Sequence, residues 1–116
     1  MRYDEAIRSN PIGFRKLIIM GKVWHVQPSL DFEDDCYGST KVGAMLIQYD
    51  PRLPLDRLRD IIWHEVKHAC AWESGLSYYC TDKETDVSEE MIVRALTPVE
   101  LETMRRNPKL MDFLLG

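Results

Sequence analysis

Long apolar runs are missing from this 116-residue chain: the longest, Leu17 to Met20, falls far short of the roughly 20 residues that span a bilayer. The opening MRYDEAIRSN mixes acids and bases and lacks the apolar centre of a secretory signal, so the expectation is a cytoplasmic protein with no membrane partner. Basic clusters are absent beyond Arg105-Arg106, and fifteen Lys and Arg face nineteen Asp and Glu, a formal net charge of −4. Nothing there attracts a phosphate backbone, and nucleic acid is not an expected partner. Cysteine is scarce. Cys36, Cys70 and Cys80 are odd in number and show no C-x-x-C spacing, which excludes a disulfide framework and an all-cysteine zinc site in favour of free thiols. Repeats and low-complexity tracts are absent as well. What remains, 45% hydrophobic and 29% charged, is the composition of a globular chain with room for one core, read as a single domain over residues 1–116.

Periodicity divides that domain into a strand-rich first half and a helical second half. A short helix fits around Ala6 and Ile7 before SNPIG stops it. RKLIIMGKVWHVQ reads as a hairpin with strands near 15–20 and 23–27 and a type II′ turn on Gly21-Lys22. PSLDFEDDCYGST reads as a loop whose Glu33, Asp34 and Asp35 form a solvated face rather than a cation site, and a strand follows over 42–49. From Leu55 the period lengthens. Leu55, Leu58, Ile61, Ile62, Val66, Ala69 and Cys70 recur at three and four, an amphipathic helix bounded by Pro54 and Gly75. Asp86 and Glu89 have capping-box spacing for a helix through Leu96, Thr97-Pro98-Val99-Glu100 begins another, and Asn107-Pro108 a last one.

Inside the first long helix stand His64, Glu65 and His68 in the order H-E-x-x-H. Residues four apart share a helix face, so two imidazoles are presented to one ion with a glutamate beside them. A catalytic Zn2+ takes three protein ligands and keeps a position for water, and the intervening Glu is placed to accept that water's proton. The third ligand has to come from elsewhere in the chain. His25 belongs to the hairpin and reads as a strand residue before a ligand. Glu89 lies near the centre of the stripe defined by Ile92, Val93 and Leu96, with Glu90 about 100° away, so Glu89 is the expected ligand and Glu90 the alternative. Tyr78, Tyr79 and His25 are candidate donors to an oxyanion. Trp24, Trp63 and Trp72 read as core or cleft wall.

GAMLIQYDPRLPLDRLRDIIWHEVKHACAW followed by SEEMIVRALTPVELETMRRNPKL resembles the small H-E-x-x-H metallopeptidase-like proteins of bacteriophages and prophages, built on a minimal gluzincin core. The resemblance covers roughly residues 38–111. It implies an α+β, zincin-like domain: a short antiparallel or mixed sheet packed on the motif helix, followed by C-terminal helices. It further implies zinc on His64, His68 and a glutamate of the later helix, with Glu65 as general base in hydrolysis of a peptide or protein substrate. The strand before the motif helix, with Gly43, Ala44, Met45, Leu46 and Ile47, becomes an edge on which an extended substrate pairs. Two other readings stand beside this one: a zinc-stabilised peptide-binding module without catalysis, and a metal-free structural protein.

Overall fold

In the computed structural model, residues 3–75 and 88–116 are described, apart from the side chains of Tyr3 and Glu89. After a short helix α1 (Tyr3–Arg8), strands β1 (Lys16–Ile19) and β2 (Lys22–Pro28) pair antiparallel, with Ile19 opposite Lys22. The turn between them is Met20-Gly21, at φ 52° and 75°. Two positive φ angles define a type I′ turn, whose twist matches that of the strands it joins, so the expected II′ turn on Gly21-Lys22 is shifted by one residue and changed in type. β2 alternates strictly: Trp24, Val26 and Pro28 are buried while Val23, His25 and Gln27 are exposed.

The sheet continues through two strands that the residue pattern misplaces. β3 (Gly38–Lys41) falls in the segment read as a loop, because GSTK contains no apolar residue to mark a strand. The strand expected over 42–49 starts later: Val42–Ala44 form a 3-10 turn ending in Met45 at φ 49°, and β4 is Leu46–Tyr49. β4 pairs in parallel with β2 and antiparallel with β3, giving a mixed sheet of order β1-β2-β4-β3. At its end Asp50 turns the chain, accepting from the backbone N–H of Arg52 at 3.0 Å and from its guanidinium at 3.0 and 2.8 Å. Those hydrogen bonds hold the Asp50 carboxyl below the ordinary carboxylate range.

Helix α2 (Leu55–Glu73) runs close to its expected limits, from Pro54 to Gly75, whose φ of 81° makes it the left-handed residue that ends the helix. Its Leu58, Ile62, Val66, Ala69 and Cys70 pack on Leu17, Ile19, Trp24, Val26, Ile47 and Tyr49 of the sheet, all buried. Burial pushes the Cys70 thiol up, and its sulfur lies 3.5 Å from the Thr103 hydroxyl. Cys36 and Cys70 are both free.

Two further helices close the core. α3 is one element, Glu89–Arg106, capped by Ser88, whose hydroxyl accepts from Met91 N at 3.2 Å. The proposed cap Asp86 lies outside the described residues. Thr97 starts no new helix: its hydroxyl donates to Val93 O at 2.7 Å, so Pro98 sits inside a continuous helix. α4 (Pro108–Leu115) buries Leu110 and Phe113. The architecture is α+β, with α2, α3 and α4 gathered on one face of the sheet. No helix among the described residues is long and apolar enough to cross a membrane.

Candidate metal centre

On α2 the apolar stripe faces the sheet, which leaves His64 and His68 off that stripe and exposed. Four-residue spacing stacks them one turn apart. Their Nε2 atoms lie 3.1 Å apart, with the rings edge to face at 76°. Two nitrogens bound to one zinc at about 2.0–2.1 Å and a tetrahedral angle would be about 3.3 Å apart, so this pair already has close to the separation a shared ion requires. Without an ion, the same separation is a hydrogen bond between a protonated nitrogen of one ring and a bare nitrogen of the other.

Glu65, one residue on, turns from the exposed face toward β3 and is 7% exposed. There the Thr40 hydroxyl donates to Glu65 Oε1 at 2.8 Å and lies 3.1 Å from the Glu65 carbonyl oxygen. Gly38 makes the approach possible: a Cβ on it would stand 2.7 Å from Ile61 Cγ2 and 3.2 Å from Glu65 Cγ. β3 therefore lies on α2 with only a glycine and a threonine between them. Neither residue was singled out from the sequence, because both sit in a segment with no apolar alternation and their spacing from the motif carries no signal.

The remaining candidates separate. His25 is paired with Leu46 and exposed, while its neighbours Trp24 and Val26 face the core. It therefore projects from the sheet face opposite α2 and is removed from the set of oxyanion donors at this site. Tyr78 and Tyr79 lie outside the described residues. Gly43, Ala44 and Met45 form a turn rather than a strand, and Leu46 and Ile47 belong to β4, which is flanked by β2 and β3. A strand paired on both sides has no edge to offer, so the expected substrate strand is corrected: among the described residues the free edge beside α2 is β3.

The third ligand is approached from helical phase. Val99 and Thr103 are buried and Ile92 and Leu96 half-buried, whereas Val93 is exposed, so the inward stripe of α3 differs from the expected one by that residue. Position 89 falls on the same side of α3 as this stripe and position 90 on the opposite side. Glu90 is exposed and accepts from Arg94 Nε at 2.9 Å along its own helix. The Glu89 side chain is outside the description, and among the described residues no group of three or more His, Cys, Asp or Glu side chains is gathered for a metal. Glu33, Asp34 and Asp35 are all solvent-exposed, as expected of a solvated acidic run.

No family model matches the chain, and no curated protein or solved structure matches it.

Proposed function

We propose that the chain is a small zinc-dependent metallopeptidase of the zincin type, acting on a peptide or protein in a cytoplasm. The observation that carries this reading is the approach of the His64 and His68 Nε2 atoms to 3.1 Å, on a helix whose intervening Glu65 is buried. Two imidazole nitrogens and one carboxylate oxygen are donors that zinc accepts, the carboxylate in this reading being that of Glu89, with Glu90 as its alternative. When bound, zinc supplies a Lewis acid for the scissile carbonyl and lowers the pKa of a coordinated water toward 7. Glu65 accepts the proton of the attacking water and returns it to the leaving amine. Thr40 aims the Glu65 carboxylate from the strand side. The open edge of β3 aligns an extended substrate by backbone pairing, beside the helix that carries both histidines.

A second reading is favoured by the Thr40–Glu65 hydrogen bond itself. A carboxylate that accepts from the neighbouring strand also fastens that strand to the helix, which a zinc-stabilised peptide-binding module would use without catalysis.

One pair of measurements separates the two. Purified protein is expected to hold about one zinc per chain, lost in both His64→Ala and His68→Ala, and full occupancy in either variant sinks the metal site. Glu65→Gln is expected to keep zinc and fold while peptide cleavage falls by a factor of about 100 to 10,000. Cleavage undiminished in Glu65→Gln refutes the mechanism. Full zinc with no cleavage across a broad peptide library, and equal peptide capture by both proteins, assigns the chain to the binding module.

A further inference from the structure

Where β1 meets the junction of α3 and α4, the fold encloses a hollow of about 300 Å³ that the mechanism above does not use. Its apolar walls are Phe14, Leu17, Ile18, Val23 and Leu110. Asn107 lines it too, but has no free donor: its amide hydrogens go to Ile18 O and Thr103 O, and its oxygen accepts from Ile18 N. Three exposed cations complete the lining: Lys16 of β1, Arg106 at the end of α3 and Lys109 in the first turn of α4. Among the described residues, no acidic side chain lines the hollow. Arg106 reaches Glu102 only at 3.9 Å, and Lys16 and Lys109 enter no ion pair among the described residues. In a chain of net charge −4, the fold thus gathers cations from opposite ends of the sequence around one apolar space.

We infer that this hollow binds a small amphiphilic anion: a short acyl or alkyl chain that ends in a carboxylate or a phosphate. The assignment is independent of the zinc reading, since His64, Glu65 and His68 do not line the hollow. A volume at the lower limit of ligand pockets, roughly 300 to 1,000 Å³, sets the scale at one short chain. The walls gain by covering methylenes and offer a polar body nothing in exchange for its water. Val23, 45% exposed on the strand next to β1, is apolar surface that such a chain covers. The head is selected by charge: an anion meets three cations, a neutral group leaves them as they are, and a cation is repelled.

The test titrates the full chain with butanoate, hexanoate, octanoate, octyl phosphate and 1-octanol, below the concentrations at which they self-assemble, and follows the methyl NMR signals of Val23 and Leu110. Affinity is expected to rise about tenfold for each two methylenes added. Octanoate should bind about three- to tenfold tighter than 1-octanol at low ionic strength, and salt should erase that advantage. The double variant Lys16→Glu, Lys109→Glu, which changes exposed side chains alone, should lose the advantage while 1-octanol binds as before. Val23→Asp should weaken every compound at least about tenfold, with circular dichroism showing that both variants fold. The tighter of octanoate and octyl phosphate identifies the natural head as carboxylate or phosphate, and either order supports the site. Affinity independent of chain length overturns it in favour of a plain anion patch. Equal binding of octanoate and 1-octanol, an advantage that survives the charge reversal, or methyl signals that no compound shifts also overturns it. So does binding confined to phosphatidylglycerol vesicles, which would make this face a membrane contact and not a pocket.

Discussion

At one edge of the sheet, the Asn107 carboxamide accepts from Ile18 N and donates to Ile18 O, both at 2.9 Å, and donates to Thr103 O at 2.7 Å, so one side chain takes the place of a strand beside β1. At the other edge, β3 has β4 on its inner side and no strand beyond it among the described residues, and its Thr40 is bonded to the Glu65 of the motif helix. Unpaired strand edges invite association and are usually blocked. Among the described residues, the edge on the β1 side is closed and the edge on the β3 side, next to the motif helix, is open. An open edge is tolerated where recognition uses it, which is what the proposed peptide pairing requires.

Each edge can be tested for the role this contrast assigns it. The largest change is expected at the closed edge. Asn107→Ala leaves the Ile18 N–H and C=O and the Thr103 C=O without their partner, and should cost about 2–4 kcal/mol in chemical denaturation. It should also expose β1 to self-association, visible in sedimentation; a variant as stable and as monomeric as the parent would show that the edge needs no closing.

One strand in from the open edge the sensitive group is Tyr49 of β4, which lies opposite Gly38 and is fully buried. Burial pushes its pKa up to about 12, with the nearby Arg15 pulling weakly the other way. A folded pKa above the unfolded value of about 10 means that Tyr49 supports folding fully below pH 10. That support is lost as pH rises from about 10 to about 12, on the order of 2 kcal/mol in all. Denaturation curves across that range should show the decline, and Tyr49→Phe should flatten it. An unchanged slope in the phenylalanine variant would assign the alkaline loss to other groups.

Gly38→Ala tests the contact between this edge and α2. The added Cβ meets Ile61 at 2.7 Å, so β3 or Ile61 must shift, at a cost of about 1–3 kcal/mol. Zinc affinity should change less than stability, since the atoms nearest the added Cβ belong to Ile61, Glu65 and Gln48 and to neither histidine. An alanine variant of parental stability would show that the strand has room to move.

The smallest effect belongs to Thr40. Thr40→Val removes the hydroxyl donor to Glu65 while keeping the side-chain shape, and Thr40→Ser restores it. If Glu65 is the base, the valine variant should lose about tenfold in kcat at an unchanged KM, within the range for groups that orient active-site residues, and serine should recover it. Loss of stability without loss of kcat would instead assign the bond to strand packing, as the binding-module reading has it.

What the sequence determined by itself was local. Three- and four-residue spacing of Leu58, Ile62, Val66 and Ala69 defined α2, and the same periodicity brought His64 and His68 together, since four residues nearly complete a helical turn wherever the helix sits. The hairpin was readable from its β-branched runs around a glycine, though the turn type was not, because one residue of register separates II′ from I′. The capping signal at Thr97 misled for a related reason: it offers a side chain to an N-terminus, and only packing decides whether the helix already runs through that point. Val99 and Thr103 are buried on the same face as Ile92 and Leu96, so α3 continues past Pro98. Tertiary structure alone decided the rest. Thr40 meets Glu65 across 25 residues and Asn107 meets Ile18 across 89, in contacts that depend on how the sheet closes. Polar side chains such as these carry no periodicity, and whether one is solvated, caps a helix or seals a strand is settled only by what folds against it.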